Sequence, residues 1–298
     1  MNMRTETVEI AGETFRVRAW GDPGAPLLLL LHGFPEHGGA WHEIAVRLAD
    51  RFHCVAPDQR GYGASPRPHD VASYRISRLV ADALGVLDAY APGAPARAVI
   101  GHDWGASVAY ALAIAAPERM QALVIGNGVH PIPFQRELAR GGAQSEASQY
   151  IEWLRAEGSE DKLAAGGLSG LFRMFAAKMD TSWMTEADRE GYAEAWGHPG
   201  AVRGMVNWYR ATPLKVAAPG RPIPPEALPE MDPAALRVRP PHLLLWGLGD
   251  TALLPESREG LAELCDDFRG VVEYPRVDHW LFHHEPGATA AEIRAFLA

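Results

Sequence analysis

The 298-residue sequence predicts an α/β domain, a mostly parallel central sheet with helices on both faces, interrupted by a helical insertion. Three observations carry this. Short aliphatic runs such as Leu27–Leu31 alternate with stretches of helical periodicity. That rhythm breaks over residues 130–219, which hold helical stretches but no convincing strand. Two further apolar runs, at 242–246 and 271–274, then resume it. The expected organisation is therefore a sheet domain built from residues 1–129 and 220–298, with residues 130–219 as a helical cap.

Taken in order, residues 7–10 and 14–19 read as a β-hairpin around Gly12. Leu27–Leu31 is continuously apolar between Pro26 and Gly33, as a strand buried on both faces requires. Residues 41–52 have helical periodicity, and His53–Pro57 is a short strand. Residues 74–90 set Leu79, Ala83, Val86 and Leu87 on one helical face. A strand at 98–100 runs into a glycine-framed turn. An alanine-rich helix follows over 104–116 and stops at Pro117. Residues 122–125 are the next strand.

Within the insertion, helical stretches are expected at 148–156, 168–179 and 187–196. Its aromatic residues, Trp153, Phe172, Phe175, Trp183, Trp196 and Trp208, should form a core of their own, with some lining an apolar underside. Residues 217–233 contain six prolines and read as the return to the sheet. Strands at 242–246 and 271–274 and a helix over 289–297 close the chain.

The formal net charge of -9 and the absence of any basic run argue against a nucleic-acid or anionic-membrane partner, and favour a neutral ligand. Cys54 and Cys265 are the only cysteines, without zinc or disulfide spacing. Residues 1–10 lack a signal-peptide core, and the longest aliphatic run is too short to span a membrane. A soluble cytoplasmic protein, monomer or homodimer, is the expectation.

Gly101-His102-Asp103-Trp104-Gly105 has the glycine frame of a nucleophile elbow, with a carboxylate in the central seat. A carboxylate nucleophile suits displacement at a saturated carbon and leaves an ester on the enzyme. Asp250 and His279 follow two later strands. The order nucleophile, acid, histidine falls at three strand ends, where open parallel sheets gather functional residues. Asp278 adjoins His279 but points to the opposite side in an extended segment. Asn127 stands after the strand where an acid could sit, without a carboxylate. The direction of His102 in the turn gives it a supporting role. His32-Gly33-Phe34-Pro35 follows the first buried strand, so the backbone amides of Phe34 and Trp104 are the expected oxyanion-hole donors. A cis Phe34–Pro35 bond would aim the Phe34 amide, and the N-terminal amides of the helix opened by Trp104 favour anionic charge at Asp103.

His32-Gly33-Phe34-Pro35-Glu36, the segment Asp58-Gln59-Arg60-Gly61-Tyr62-Gly63-Ala64-Ser65, the Asp103 elbow, His279-Trp280 with Glu285-Pro286, and Asn207-Trp208-Tyr209-Arg210 resemble the epoxide hydrolases of the α/β-hydrolase fold. The resemblance runs from about residue 5 to 298 and is to the stand-alone microbial type, without a phosphatase domain. It implies that two cap tyrosines, Tyr150 and Tyr209, hold the epoxide oxygen and protonate it as the ring opens. Phe34, Trp104, Tyr150 and Tyr209 would contact substrate, with water as co-substrate and no metal or organic cofactor. A phenol pKa of about 10 suits such a donor at neutral pH. Haloalkane and haloacid (fluoroacetate) dehalogenases share the elbow. However, Phe34 stands where the former carry a halide-binding asparagine, and Trp104 where the latter carry arginine. Asp278, in place of the small residue usual before the histidine, departs from the family pattern. A non-catalytic ligand-binding member of the fold is the remaining alternative, and the intact Asp103, Asp250 and His279 set argues against it.

Overall fold

The computed structural model describes residues 2–298. Its eight-stranded sheet has the spatial order β1-β2-β4-β3-β5-β6-β7-β8. β1 (Arg4–Ile10) and β2 (Glu13–Trp20) form an antiparallel hairpin at one edge, and β2 pairs antiparallel with β4 (His53–Pro57). The others, β3 (Leu27–Leu31), β5 (Ala98–His102), β6 (Leu123–Gly126), β7 (His242–Gly247) and β8 (Phe268–Tyr274), extend the sheet in parallel. The alternating polarity of β1 belongs to an edge strand with one wet face, whereas all five leucines of β3 are buried.

The period-two pleat deals the central strands into two hydrophobic layers. Leu27, Leu29 and Leu31 join Val99, Ile125, Leu244 and Trp246 on the face covered by α2 (Ile76–Tyr90) and α3 (Trp104–Ala115). Leu28 and Leu30 join Ile100, Val124 and Leu245 on the opposite face, under α1 (His42–Leu48) and the C-terminal helix. Each such leucine contributes about 1.5–3 kcal/mol relative to exposure.

Several boundaries differ from the sequence reading. The helix expected over 41–52 is a 3-10 turn, Gly38–Trp41, capped by the His37 side chain and continued by α1. The closing helix begins earlier than residue 289, because Pro286 provides a favourable first helical position.

Between β6 and β7 lie α4 (Pro131–Ala139), α5 (Ala143–Ala147), α6 (Gln149–Arg155), α7 (Ser159–Ala164), α8 (Ser169–Phe175), α9 (Glu186–Gly197) and α10 (Ala201–Ala211). After β8 come α11 (Leu281–His284) and α12 (Pro286–Phe296). The helix expected over 168–179 ends at Phe175, and Leu168 and Lys178 at its flanks take positive φ. α9 opens on a Thr185–Asp188 capping box.

The cap does not have a separate core. Leu154, Phe175, Tyr192, Trp196 and Trp208 belong to the same hydrophobic cluster as the α3 face of the sheet, and Trp153 is 41% exposed. Two indoles bolt the cap down: Trp196 Nε1 donates to the Pro35 carbonyl at 2.6 Å and Trp208 Nε1 to the Arg60 carbonyl at 2.8 Å. α10 seats against the loop after β4 through Gly204, where a Cβ would lie 2.7 Å from Gly61 Cα. Among the described residues no helix is long and apolar enough to cross a membrane.

Candidate active site

β5 ends at His102 and α3 begins at Trp104, so Asp103 stands alone in the turn between them. Its backbone lies at φ 50° and ψ -120°, a conformation L-residues seldom adopt. Gly105 permits the turn, because a Cβ there would lie 2.0 Å from the Leu31 carbonyl oxygen. The carboxylate is thereby lifted to the C-terminal end of the parallel strands, where the loops after β3, β7 and β8 meet.

The two oxygens of Asp103 have different neighbours. The Phe34 amide, in the loop after β3, donates to Oδ1 at 2.7 Å, and Oδ2 faces His279 Nε2 at 3.6 Å. The Phe34–Pro35 bond is cis, as expected. The Trp104 amide opens α3 and has no intrahelical acceptor, and Asp103 as N-cap makes no side-chain capping bond to the helix. Oδ1 is thus held by the Phe34 amide, and Oδ2 is the oxygen on the His279 side.

Asp250 follows β7 and His279 follows β8, and His279 Nδ1 donates to Asp250 Oδ2 at 2.7 Å. Asp250 is fixed from three further directions: Asn127 Nδ2 donates to Oδ2 at 2.7 Å, and the amides of Ala252 and Leu253 donate to Oδ1 at 2.8 and 2.9 Å. Burial would raise the Asp250 pKa, but the charge and hydrogen bond of His279 and these two amides hold it below the ordinary carboxylate value. Burial would likewise lower the pKa of His279. The charges of Asp250, Asp103 and Glu36, with the Asp250 hydrogen bond, outweigh it and push the imidazole up to about 9.

The rivals fall into supporting places. Asp278 turns away from His279, accepting from the amides of Asp180 at 2.6 Å and Trp280 at 2.9 Å. His102 Nε2 faces the His279 carbonyl at 2.9 Å. His32 is buried, and that burial lowers its pKa; its Nε2 accepts from the Gln59 amide at 3.1 Å.

Tyr150 on α6 and Tyr209 on α10 line one cavity of about 480 Å³ with Asp103, His279, Phe34 and Pro35. Their rings are 6.1 Å apart and nearly perpendicular. Burial raises both phenol pKa values, helped by the charge of Asp103 at Tyr150 and by Tyr150 and then Asp103 at Tyr209, so both hydroxyls remain donors at neutral pH. The Trp104 indole packs edge-on against Tyr209 at 5.1 Å. It lines a second, apolar cavity of about 580 Å³ with Phe134, Trp208 and Leu214, and meets the Asp103 side at a cleft of about 40 Å³. The second cavity has none of Asp103, Asp250 and His279 among its walls, whereas the first has Asp103 and His279.

An elbow, a histidine–carboxylate pair and a roof of helices on a parallel sheet define a fold family, and the alpha/beta hydrolase fold family matches residues 26–286. The chain belongs to that family. A structure described as novel epoxide hydrolases from metagenomes of hot environments superposes with a TM-score of 0.90 at 34% identity, covering 100% of this chain and 99% of the other. An inhibitor complex of a Bacillus megaterium epoxide hydrolase gives 0.85 at 27% identity over 98% and 99%. Epoxide hydrolase A of Mycobacterium tuberculosis is 29% identical over 97% of this chain and 96% of its own length. Within the alpha/beta hydrolases, this chain groups with the epoxide hydrolases.

Two features of this family member were not legible in its motifs. Asn127 is a clip rather than a vacant acid position: besides Asp250 it donates to the Gly247 carbonyl at 3.2 Å and accepts from the Gly247 amide at 2.7 Å, which ties β6 to the β7 turn. Glu36, quoted above only as part of a motif, is a buried carboxylate at the junction of four elements. The sole sequence signal for either was a polar residue directly after a buried strand or its turn.

Proposed function

We propose that this chain opens a neutral, fairly hydrophobic epoxide and releases the vicinal diol. The observation that carries the reading is the convergence of Tyr150, Tyr209, Asp103 and His279 on one cavity. Asp103 Oδ2 attacks a ring carbon and forms a C–O bond as the ring C–O bond breaks. The oxygen leaving that carbon takes a proton from the tyrosine pair. The result is a hydroxyalkyl ester whose carbonyl oxygen is Oδ1, beside the Phe34 and Trp104 amides.

Esterification removes one of the negative charges that hold a proton on His279, and the proton it then sheds balances the one the phenols gave up. Neutral His279, oriented by Asp250, deprotonates a water that attacks the ester carbonyl. Collapse of the tetrahedral oxyanion expels the diol and regenerates Asp103. Dehalogenation would use the same nucleophile. Against it, the Phe34 side chain offers no halide donor and Trp104 is not among the walls of the cavity that holds Asp103, His279 and both tyrosines.

The test is His279→Gln. Incubated with styrene-type, aliphatic and terpene-type epoxides, it should accumulate an adduct on Asp103 by intact-protein mass spectrometry. No adduct across that panel would refute the mechanism. Haloalkane turnover that exceeds epoxide turnover and survives Tyr209→Phe would establish the dehalogenase instead.

A further inference from the structure

Glu36 touches no reacting atom in the steps above, yet its carboxylate is 3% exposed and gathers three side chains. His102 Nδ1 donates to Oε2 at 3.1 Å, while His283 Nε2 at 2.6 Å and the Tyr192 hydroxyl at 3.1 Å donate to Oε1. Burial opposes the charge, but the hydrogen bonds of His102 and His283 hold the carboxyl well below the usual range, so it serves as an acceptor. The second nitrogen of His102 faces the His279 carbonyl at 2.9 Å, another acceptor. One carboxylate therefore connects the Phe34 loop, the Asp103 elbow, α11 directly after His279 and α9 of the cap.

His283 works in two directions. Its ring stacks on Trp183 of the cap, with centroids 3.7 Å apart and planes 5° from parallel, while Nε2 reaches inward to Glu36. The same cap segment grips the loop on either side of it: the Asp180 amide donates to Asp278 Oδ2 at 2.6 Å, and His284 Nε2 donates to the Asp180 carbonyl at 3.1 Å. The loop bearing the base is thus held from outside by the cap and from inside by Glu36.

We infer that His283, with Tyr192, is a positioning residue for hydrolysis of the ester: it holds Glu36 against His102, and His102 holds the main chain of His279 so that the imidazole keeps its aim. The inference rests on the proposed Asp103 ester. Only the second step uses His279 as a base, and a base displaced by about 1 Å can lose as much as about 10²-fold in rate. A residue that merely packs the cap would not act on one step alone.

Two substitutions separate the roles. His283→Phe keeps a flat ring for Trp183 and leaves Glu36 without that donor. His283→Gln keeps an N–H donor and loses the stack. In single-turnover experiments on each, His283→Phe should slow ester hydrolysis about tenfold or more, leave alkylation within about twofold and accumulate ester by intact mass. His283→Gln should hydrolyse within about threefold of the unsubstituted protein. Tyr192→Phe removes the other Oε1 donor while keeping its ring, should slow the same step about threefold, and decides the matter if His283→Phe does not fold. The inference is overturned by an unchanged hydrolysis rate in the deciding variant, by both steps slowing together, or by His283→Gln slowing hydrolysis as much as His283→Phe. Failure of the ester mechanism itself is distinguishable, because His279→Gln would then trap no adduct.

Discussion

The sheet side of the cavity and its cap side carry equal shares of the proposed chemistry but are built differently. Below, Asp103, Asp250 and His279 stand on strand ends whose positions are set by parallel hydrogen-bond ladders, and each is tied further by a backbone amide or a buried polar partner. Above, Tyr150 and Tyr209 belong to short helices joined to the sheet by aromatic packing, two indole hydrogen bonds and the Gly61–Gly204 approach. The contrast separates a pre-set nucleophile and base from an acid whose place depends on how the cap is seated. Ester hydrolysis should therefore be sensitive to hydrogen-bond deletions below, and ring opening to packing changes above.

The largest effect should come from Asp103→Asn, with turnover falling by roughly 10⁴ or more and no covalent adduct by mass spectrometry. Tyr209→Phe should slow alkylation about 10²-fold or more in stopped flow and leave hydrolysis of any ester formed nearly unchanged. If it slowed the second step instead, the division between the halves would fail. Gly204→Val places side-chain atoms against Gly61, so it should unseat α10 and lower alkylation more than hydrolysis, with a loss of about 1–3 kcal/mol in stability by denaturant unfolding. Asn127→Ala leaves a buried Asp250 oxygen short of a donor, which should cost about 1–3 kcal/mol and slow hydrolysis while sparing alkylation.

A pH experiment sharpens the sheet side with the smallest signal. The folded-state pKa of His279 is raised from 6.5 to about 9, so its contribution to stability is complete below pH 6.5 and is lost as pH rises through about 9. The difference in Tm between the unsubstituted protein and His279→Gln should shrink across that window; a constant difference would contradict it. Catalysis runs the other way. Ester hydrolysis should rise with pH as His279 loses its proton, with a midpoint below about 9, because the ester no longer carries the charge of Asp103.

The strand order of residues could be anticipated from pattern alone because burial on two faces leaves an unmistakable run: Leu27–Leu31 is a strand residue for residue, and the elbow, Asp250 and His279 follow strand ends as the parallel sheet requires. Tyr209 and Tyr150 were recognisable through family motifs and spacing, not from helix signals. α10 begins after Gly200 without a side-chain cap and carries Gly204 in its middle, so nothing local marks it as the helix that holds Tyr209. Glu36, Asn127 and His283 were beyond reach for a further reason. Each acts through partners from other elements, and a hydrogen bond across elements leaves no periodicity in the chain. By itself, the sequence determined the sheet, the elbow at Asp103 and the order in which Asp103, Asp250 and His279 follow strand ends, since these depend on local turn sterics and on which residues can be buried. Only the tertiary structure decided how the cap sits, which cavity Asp103 and His279 line and which side chains gather around Glu36, because those depend on packing between segments far apart in the chain.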